Sequence, residues 1–288
     1  MKVLLTGATG FLGSRLLRRL VSGGYTVVVL KRSSSDLRAI QENLTAVKLY
    51  DLDLDLLETV FLEHKIDGVI HAATTYGRHV ENIDIVEFNL VFPLRLMSLA
   101  TDAGVDFFLN IDTLLDKYVN PYALSKRQFR DWLEFSSNNV AMINVAFDYL
   151  YGPNGSQDSL VSYLIRGLLE KREVVELTLG YQYRDFLHVD DAVSGLMTVI
   201  ERGKQTSGFQ SYELGSGVPV RVRDFCSLVA KLSGNAATLL KYGALPYREN
   251  EVMEQVVNLE NIRKLGWIPE ISLEAGITHL IQSWGKGE

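Results

Sequence analysis

Val3-Leu4-Leu5-Thr6-Gly7-Ala8-Thr9-Gly10-Phe11-Leu12-Gly13 stands at the start of the chain and is the stretch that decides the fold. An apolar run typical of a buried strand ends in glycines spaced GxxGxxG, and Leu12–Val21 then has the apolar spacing of a helix. Gly23-Gly24 predicts the end of that helix, and the β-branched run Thr26–Leu30 predicts a second strand. Glycines at such a turn let the backbone approach a pyrophosphate, and the helix after the turn offers unpaired N–H groups. This stretch therefore predicts a dinucleotide-binding βαβ unit.

The alternation of strands and helices continues beyond this unit. Four further runs predict strands, near 46–50, 68–71, 107–110 and 140–145. Three predict helices, near 55–64, 83–103 and 122–136, with Pro93 a kink or break. The pattern predicts an α/β protein with a Rossmann-type, doubly wound parallel sheet and a smaller C-terminal α/β lobe. We expect a dinucleotide-binding domain over 1–150, with 186–205 packing back on it, and a substrate-binding lobe over 151–185 and 206–288.

Composition and charge argue against several kinds of protein. The 29 Lys and Arg against 35 Asp and Glu give a net charge of −6, whereas a non-specific nucleic-acid binder needs a basic excess. No apolar run approaches the roughly 20 residues of a membrane span, and the first residues turn glycine-rich too early for a signal peptide. Cys226 is the only cysteine, so an intrachain disulfide is impossible and a cytoplasmic location is expected. The five histidines lack metal-ligand spacing, so no metal is expected.

The end of the second predicted strand bears on which dinucleotide binds. An Asp or Glu there would accept a hydrogen bond from a ribose 2′-hydroxyl and repel a 2′-phosphate. The sequence instead has Lys31, Arg32 and Ser33, which offer two positive charges and a hydroxyl. This pattern favours NADPH over NADH. The alternative is that two solvated cations simply end a strand.

Tyr122-Ala123-Leu124-Ser125-Lys126 opens a predicted helix, and its tyrosine and lysine lie one turn apart on the same face. An ammonium beside a phenol favours the phenolate and lowers the pKa of the phenol from about 10. The pair therefore predicts a proton donor or acceptor near neutral pH. Such pairs also occur on solvated helix faces, so the position after a dinucleotide-binding unit is what favours a catalytic role.

Five stretches together resemble the extended short-chain dehydrogenase/reductase family, in its nucleotide-sugar epimerase, dehydratase and reductase branch. They are Thr6–Gly13, His71–Ala73, Tyr122–Lys126, Tyr151–Pro153 and Arg184–Asp191, and the resemblance covers almost the whole chain. It implies a bound nicotinamide cofactor and a nucleotide-diphosphate sugar as substrate. It also implies a Tyr/Lys couple that works with a Ser or Thr.

The resemblance implies roles for individual residues. Tyr122 and Lys126 would be catalytic together with Thr113, the only Ser or Thr in its loop, although the usual hydroxyl position aligns with either Ile111 or Thr113. The cofactor would contact the glycine turn, the ends of the next strands and the catalytic pair: Gly7, Thr9, Gly10, Phe11, Leu12, Gly13, Lys31, Arg32, Ser33, Asp51, Leu52, Ala72, Ala73, Thr74, Tyr122 and Lys126.

Further residues are implied for the substrate and for assembly. Arg184 would face the diphosphate, and Arg248 is a second candidate for the diphosphate or a ribose. Asn89 would lie on the helix behind the site. The resemblance also implies a homodimer through the helices near 84–103 and 122–137.

The short approach to the tyrosine, with Asn110-x-Asp112-Thr113, is most similar to that of the CDP-abequose and CDP-paratose synthases. Such enzymes use NADPH to reduce the C4 ketone of CDP-4-keto-3,6-dideoxyglucose, for bacterial surface polysaccharides such as O-antigen. An NAD-dependent nucleotide-sugar 4-epimerase or 4,6-dehydratase is the alternative, and a non-catalytic dinucleotide-binding regulator ranks last. A dehydratase needs an acid and a base beside the hydroxyl, and Asp112-Thr113 supplies one carboxylate. The nucleobase, the deoxy pattern and the C4 configuration of the product stay open.

Overall fold

The computed structural model describes residues 1–77, 80–137, 140–203 and 208–284. The chain divides into two compact units. The first comprises Met1–Ala146, Val193–Glu213 and Glu260–Trp267, and the second comprises Phe147–Ala192, Leu214–Leu259 and the chain from Ile268 onward. That one part binds a dinucleotide and the other a substrate stays a prediction. His79 and the predicted boundary at 206 lie outside the described residues.

A seven-stranded sheet runs through the first unit. Its strands are β1 Lys2–Thr6, β2 Thr26–Lys31, β3 Val47–Asp51, β4 Gly68–His71, β5 Phe107–Thr113, β6 Ala141–Phe147 and β11 Gly208–Leu214. They lie in the order β11-β6-β5-β4-β1-β2-β3. The pairs β1–β2, β1–β4, β2–β3 and β4–β5 are parallel. The predicted Rossmann-type α/β fold is confirmed, and parallel pairing brings the carboxyl ends of neighbouring strands to one edge of the sheet.

Helices follow these strands as the apolar spacing predicts. They are α1 Phe11–Ser22, α2 Leu57–Glu63, α3 Asn82–Val86, α4 Phe92–Asp102, α5 Pro121–Phe135, α7 Val189–Arg202 and α9 Glu260–Lys264. A 3₁₀ segment, Arg38–Ala46, leads into β3. Leu96, Phe108, Phe129 and Met142 lie fully or almost fully buried in the core of this unit. Among the described residues, no helix is long and apolar enough to cross a membrane.

The predicted helix over 83–103 is not regular. A π-helical segment, Glu87–Val91, lies between α3 and α4. Pro93 falls in the first turn of α4, where its missing N–H costs least. The irregular turn therefore precedes the proline, and it carries the buried Asn89.

Strand β5 is longer than predicted, because residues 111–113 continue it instead of forming a loop. Thr6 of β1 pairs in register with His71 of β4, and His71 pairs with Asn110 of β5. Side chains alternate along a strand, so Asn110 and Asp112 share one face while Ile111 and Thr113 share the other. This alternation separates the polar groups of β5 into two sets.

The second unit contains short paired strands and three further helices. Strand β7 (Tyr149–Tyr151) pairs with β10 (Phe186–His188), β8 (Val174–Leu177) with β13 (Leu239–Tyr242), and β9 (Tyr183–Arg184) with β12 (Val220–Arg221). The helices are α6 Leu160–Leu169, α8 Val222–Ser233 and α10 Leu273–Trp284. The rings of Phe186 and Phe225 stack 3.9 Å apart in its core. Cys226 is buried there as a free thiol, as predicted, and burial raises its pKa to about 12.

Trp132 and Phe135 lie on α5, one of the two helices through which a homodimer is predicted. Trp132 is 49% exposed and Phe135 78% exposed, with their rings edge to face at 6.0 Å. Neither residue belongs to the core. The homodimer through this helix stays a prediction.

Candidate active site

The glycine turn between β1 and α1 is packed against the end of β4. Gly7 has a φ of +70°, and a Cβ there would lie 2.6 Å from backbone atoms of Ala72 and Ala73. A Cβ on Gly13 would lie 2.0 Å from the Gly7 carbonyl oxygen. Both positions therefore require glycine. The turn brings the predicted cofactor residues Ala72 and Ala73 against the predicted phosphate-binding backbone.

The start of α1 has the chemistry of an anion site. Gly10 is its N-cap, and within the described residues no side chain caps the helix. Its first turn also lacks an acidic residue. The N–H groups of this turn and the positive end of the helix dipole therefore suit the pyrophosphate of a dinucleotide.

The side chains at the end of β2 contact Asp51, the last residue of the neighbouring strand β3, and the sequence pattern did not reveal this contact. Lys31 Nζ forms an ion pair with Asp51 Oδ2 at 2.5 Å, and the Ser33 hydroxyl lies 2.9 Å from both oxygens of Asp51. The hydrogen bond from Lys31 holds the pKa of Asp51 below its ordinary value. Arg32 is exposed, with its guanidinium carbon 5.4 Å from the centre of the Phe88 ring. Asp51 therefore offsets the charge of Lys31 at this strand end but not the charge of Arg32.

A buried asparagine fixes the loop that comes after β4. Asn89 Oδ1 accepts from the Thr74 hydroxyl (3.1 Å) and from the Thr75 N–H (2.9 Å). Its Nδ2 donates to the Thr75 carbonyl (2.9 Å) and to the Ser125 hydroxyl on α5 (3.1 Å). Asn89 therefore ties the loop to the helix that carries Tyr122. Its predicted place behind a catalytic site stays a prediction.

Helix α5 begins where the sequence requires. The Asn120 side chain accepts from the Ala123 N–H at 2.8 Å, and Pro121 occupies the first turn. This start places Tyr122 in the first turn, near the Thr113 side chain at the end of β5, which lowers the pKa of Tyr122 against the effect of burial. The structure thus brings Thr113 and Tyr122 close together. The catalytic role of both residues stays a prediction.

The expectation that Lys126 lowers the pKa of Tyr122 is wrong for this structure. Burial raises the pKa of Tyr122 well above 10, the charges of Tyr76 and Asp112 raise it further, and the nearby Thr113 side chain opposes this rise. Lys126 is 2% exposed, and its Nζ donates to Asn110 Oδ1 at 3.3 Å. Burial lowers the pKa of Lys126, and the charge of Asp112 raises it. One helical turn sets the spacing of the pair, but buried partners on the sheet set its electrostatics.

Tyr76 is a neighbour of Tyr122 that sequence reasoning missed. Its ring centre lies 5.0 Å from that of Tyr122, and its side chain is 66% exposed. The residue comes only three positions after the His71-Ala72-Ala73 stretch, so its place in that loop was the available signal.

The predicted diphosphate residues lie in the second unit. The Arg184 guanidinium donates to the carbonyls of Tyr183 (2.6 Å) and Val252 (2.8 Å) and forms an ion pair with Glu251. Arg248 is exposed. An incoming diphosphate would have to compete with Glu251 for Arg184, whereas Arg248 is open to solvent.

Within the described ranges, the group of side chains that could hold a metal ion is His188, Asp190 and His279. Their ligand atoms lie within 4.8 Å of one another. His188 Nδ1 already accepts from the Asp190 N–H at 3.2 Å, in the first turn of α7. This bond engages Nδ1 at the start of α7.

Comparison with known proteins agrees with these features. The model of the NAD dependent epimerase/dehydratase family matches residues 3–215. The chain belongs to this family. The family resemblance inferred from the motifs is therefore confirmed.

Individual relatives match over nearly the full length. CDP-abequose synthase of Salmonella typhimurium is 30% identical and that of Salmonella muenchen 27% identical, each match covering 97% of both chains. The crystal structure of UDP-glucose 4-epimerase from Thermotoga maritima with UDP-glucose has a TM-score of 0.87 at 22% identity, covering 99% of both chains. That structure supports the fold, and the sequence relatives bear on the choice of substrate.

Proposed function

We propose that the protein is an NADPH-dependent reductase that acts on the C4 ketone of a nucleotide-linked 4-keto-deoxysugar. The observation that carries the proposal is the proximity of Thr113 and Tyr122, with the buried Lys126 on the same helix, at the sheet edge where β1 leads into the glycine turn. The similarity to two CDP-abequose synthases over 97% of the chain supports the choice of substrate class. CDP-4-keto-3,6-dideoxyglucose is the expected substrate, with a role in bacterial surface polysaccharides.

The residues of the first unit suit a nicotinamide dinucleotide. The uncapped start of α1 would hold the pyrophosphate, and Ala72 and Ala73 leave space beside the turn because their side chains are small. When bound, the reduced nicotinamide supplies the hydride to C4. Lys126 would bind the nicotinamide ribose, the role that the family resemblance implies.

Reduction of a ketone needs a proton on the oxygen as well as a hydride on the carbon. Tyr122 would supply that proton, because a phenol hydroxyl beside the C4 oxygen can donate its proton as the hydride reaches the carbon. Thr113 would hold the C4 oxygen and the phenol in one hydrogen-bonded set.

The position of Asp112 also favours a reductase over a dehydratase. Both oxygens of Asp112 are engaged, Oδ1 by the Thr113 N–H (2.8 Å) and Oδ2 by Asn144 Nδ2 (3.0 Å). The side chain is 7% exposed and shares a face of β5 with Asn110, opposite to Thr113. It therefore does not offer a carboxylate beside the Thr113 hydroxyl for dehydration.

Preference for NADPH is proposed on the charge of Arg32. Since the charge of Asp51 offsets that of Lys31, the preference for NADPH depends mainly on the Arg32 guanidinium, which can donate two parallel hydrogen bonds to a phosphate.

In the second unit, Arg248 and Arg184 would bind the diphosphate of the substrate. A homodimer through α4 and α5 is part of the proposal, since the exposed Trp132 and Phe135 would be covered by it.

The test is a panel of CDP-, dTDP-, UDP- and GDP-linked 4-keto sugars with NADPH and with NADH. We expect NADPH oxidation with the CDP-linked 3,6-dideoxy ketone, a C4 alcohol by NMR, and loss of both with Tyr122→Phe. Interconversion of C4 epimers by the purified protein without added dinucleotide would contradict the proposal and favour the epimerase alternative. Absence of turnover with every ketone, in a protein that binds the dinucleotide, would also contradict it.

A further inference from the structure

Four buried polar side chains of the first unit form one chain of hydrogen bonds that ends at Lys126. Lys126 Nζ donates to Asn110 Oδ1 at 3.3 Å. Asn110 Nδ2 donates to Asn144 Oδ1 at 2.8 Å, and Asn144 Nδ2 donates to Asp112 Oδ2 at 3.0 Å. All four residues are buried, and they come from β5, β6 and α5. A cation and a carboxylate are thus connected through two amides.

The direction of this chain is set by the chemistry of its ends. An ammonium can only donate hydrogen bonds, so the amide of Asn110 must turn its oxygen toward Lys126. Its nitrogen then faces Asn144, whose own nitrogen needs an acceptor beyond. An ionised carboxylate is the group that only accepts. Asp112 therefore completes the chain in the one orientation that Lys126 allows.

Charge balance also identifies Asp112 as the ionised partner of Lys126. Moving an ammonium out of water is costly unless an opposite charge compensates it. Burial lowers the pKa of Lys126, and Asp112 is the group whose charge raises it. Burial also raises the pKa of Asp112, and Lys126 and, to a smaller extent, Arg130 oppose that rise. Each of the two charges thus favours the ionised form of the other.

The other titratable groups near these four side chains do not supply a negative charge that could replace that of Asp112. His71 on β4 is fully buried, and burial together with the charge of Lys126 holds its pKa well below the ordinary value. Tyr122, on the same helix as Lys126, has a raised pKa and is neutral at pH 7. Arg130, one turn further along α5, carries the same sign of charge as Lys126. Strand β6 contributes the neutral Asn144.

We propose that Asp112 is a positioning residue, whose buried carboxylate orients the ammonium of Lys126 through the two asparagines and balances its charge. The inference deepens the proposed function, because it rests on Lys126 serving the dinucleotide and Tyr122. The same carboxylate accepts from the Thr113 N–H at 2.8 Å. Asp112 thereby fixes the backbone of Thr113 directly and orients Lys126 through the two asparagines. One residue thus positions two members of the proposed catalytic set.

The test is a pH titration of Lys126 by NMR, in protein labelled with ¹³C at the lysine ε carbons and assigned with Lys126→Arg. Asp112→Asn should lower the titration midpoint of Lys126 by about one pH unit, the size expected for loss of a nearby opposite charge. Asp131→Asn is the matched control, because this exposed carboxylate lies on the same helix and pairs with Arg127 at 3.0 Å. The control should leave the midpoint unchanged. An unchanged midpoint in Asp112→Asn would overturn the proposal.

Asn144→Leu is a second variant, for use if Asp112→Asn lacks a cooperative unfolding transition. Leucine has the same branched shape as asparagine, cannot form the two hydrogen bonds of Asn144, and leaves the charges of Lys126 and Asp112 in place. It should lower the midpoint less than Asp112→Asn would, and a midpoint equal to that of the wild type would count against the proposal.

An activity measurement separates this proposal from the proposed function. If the protein is the reductase, the basic limb of kcat/KM should move to lower pH in Asp112→Asn, whereas a purely structural defect would lower kcat/KM equally at every pH. Such an equal loss would overturn the positioning role. Absence of reductase activity in the wild type, together with a shifted Lys126 midpoint, would refute the proposed function and leave the assignment of Asp112 standing.

Discussion

Asp148, the residue after β6, should make the stability of the protein depend on pH. The Asp185 N–H donates to its Oδ2 at 2.7 Å, and burial raises the pKa of Asp148 from 3.8 to about 6. The folded state therefore binds this proton more tightly than the unfolded state does. The stabilisation is fully present below about pH 4 and is lost as the pH rises through about 6. A shift of about 2 pKa units corresponds to about 3 kcal/mol in the free energy of unfolding.

Asp148→Asn removes the ionisation and keeps an oxygen that can accept from the Asp185 N–H. We expect the free energy of unfolding to rise by about 2 kcal/mol at pH 8 and to change little at pH 4, since wild-type Asp148 is protonated there. Urea unfolding at pH 4, 6 and 8 measures the difference. A gain from Asp148→Asn that is the same at every pH, or a loss at pH 8, would refute the reasoning.

Three further predictions concern the proposed reaction. Tyr122→Phe should lower kcat by about 10²-fold or more with little change in dinucleotide affinity, and Thr113→Val should lower kcat by about 10-fold. Both are measured by NADPH oxidation, and near wild-type turnover in either variant would remove the substituted residue from the mechanism. Arg32→Ala should reduce the preference for NADPH over NADH by roughly 10–100-fold, mainly through the KM for NADPH, and equal use of both by the wild type would contradict the assignment. Arg248→Ala and Arg184→Ala should each weaken binding of CDP in isothermal titration while NADPH affinity stays the same, and unaltered CDP affinity in both would mean that the diphosphate binds elsewhere.

Local patterns in the sequence were sufficient for the fold and for the family. The glycine turn, the apolar runs and the Tyr122–Lys126 spacing each lie within about a dozen residues. Backbone conformation and helix periodicity are encoded at that range, so the predicted βαβ unit and the parallel sheet agree with the structure. The end of β5 was an exception, because residues 111–113 continue the strand although Asp112 and Thr113 resemble a loop.

The electrostatics of the site depended on contacts that only the tertiary structure makes. Lys31 meets Asp51 across neighbouring strands at a separation of 20 residues, which offsets a charge that the sequence counted in favour of NADPH. Asn144 meets Asp112 across 32 residues, and this contact turns the carboxylate away from the hydroxyl beside it in sequence. The sequence by itself determined which chemical groups the sheet edge carries. The order and register of the strands decided which of these groups are in contact, because pKa values and hydrogen bonds depend on distance in space and on burial.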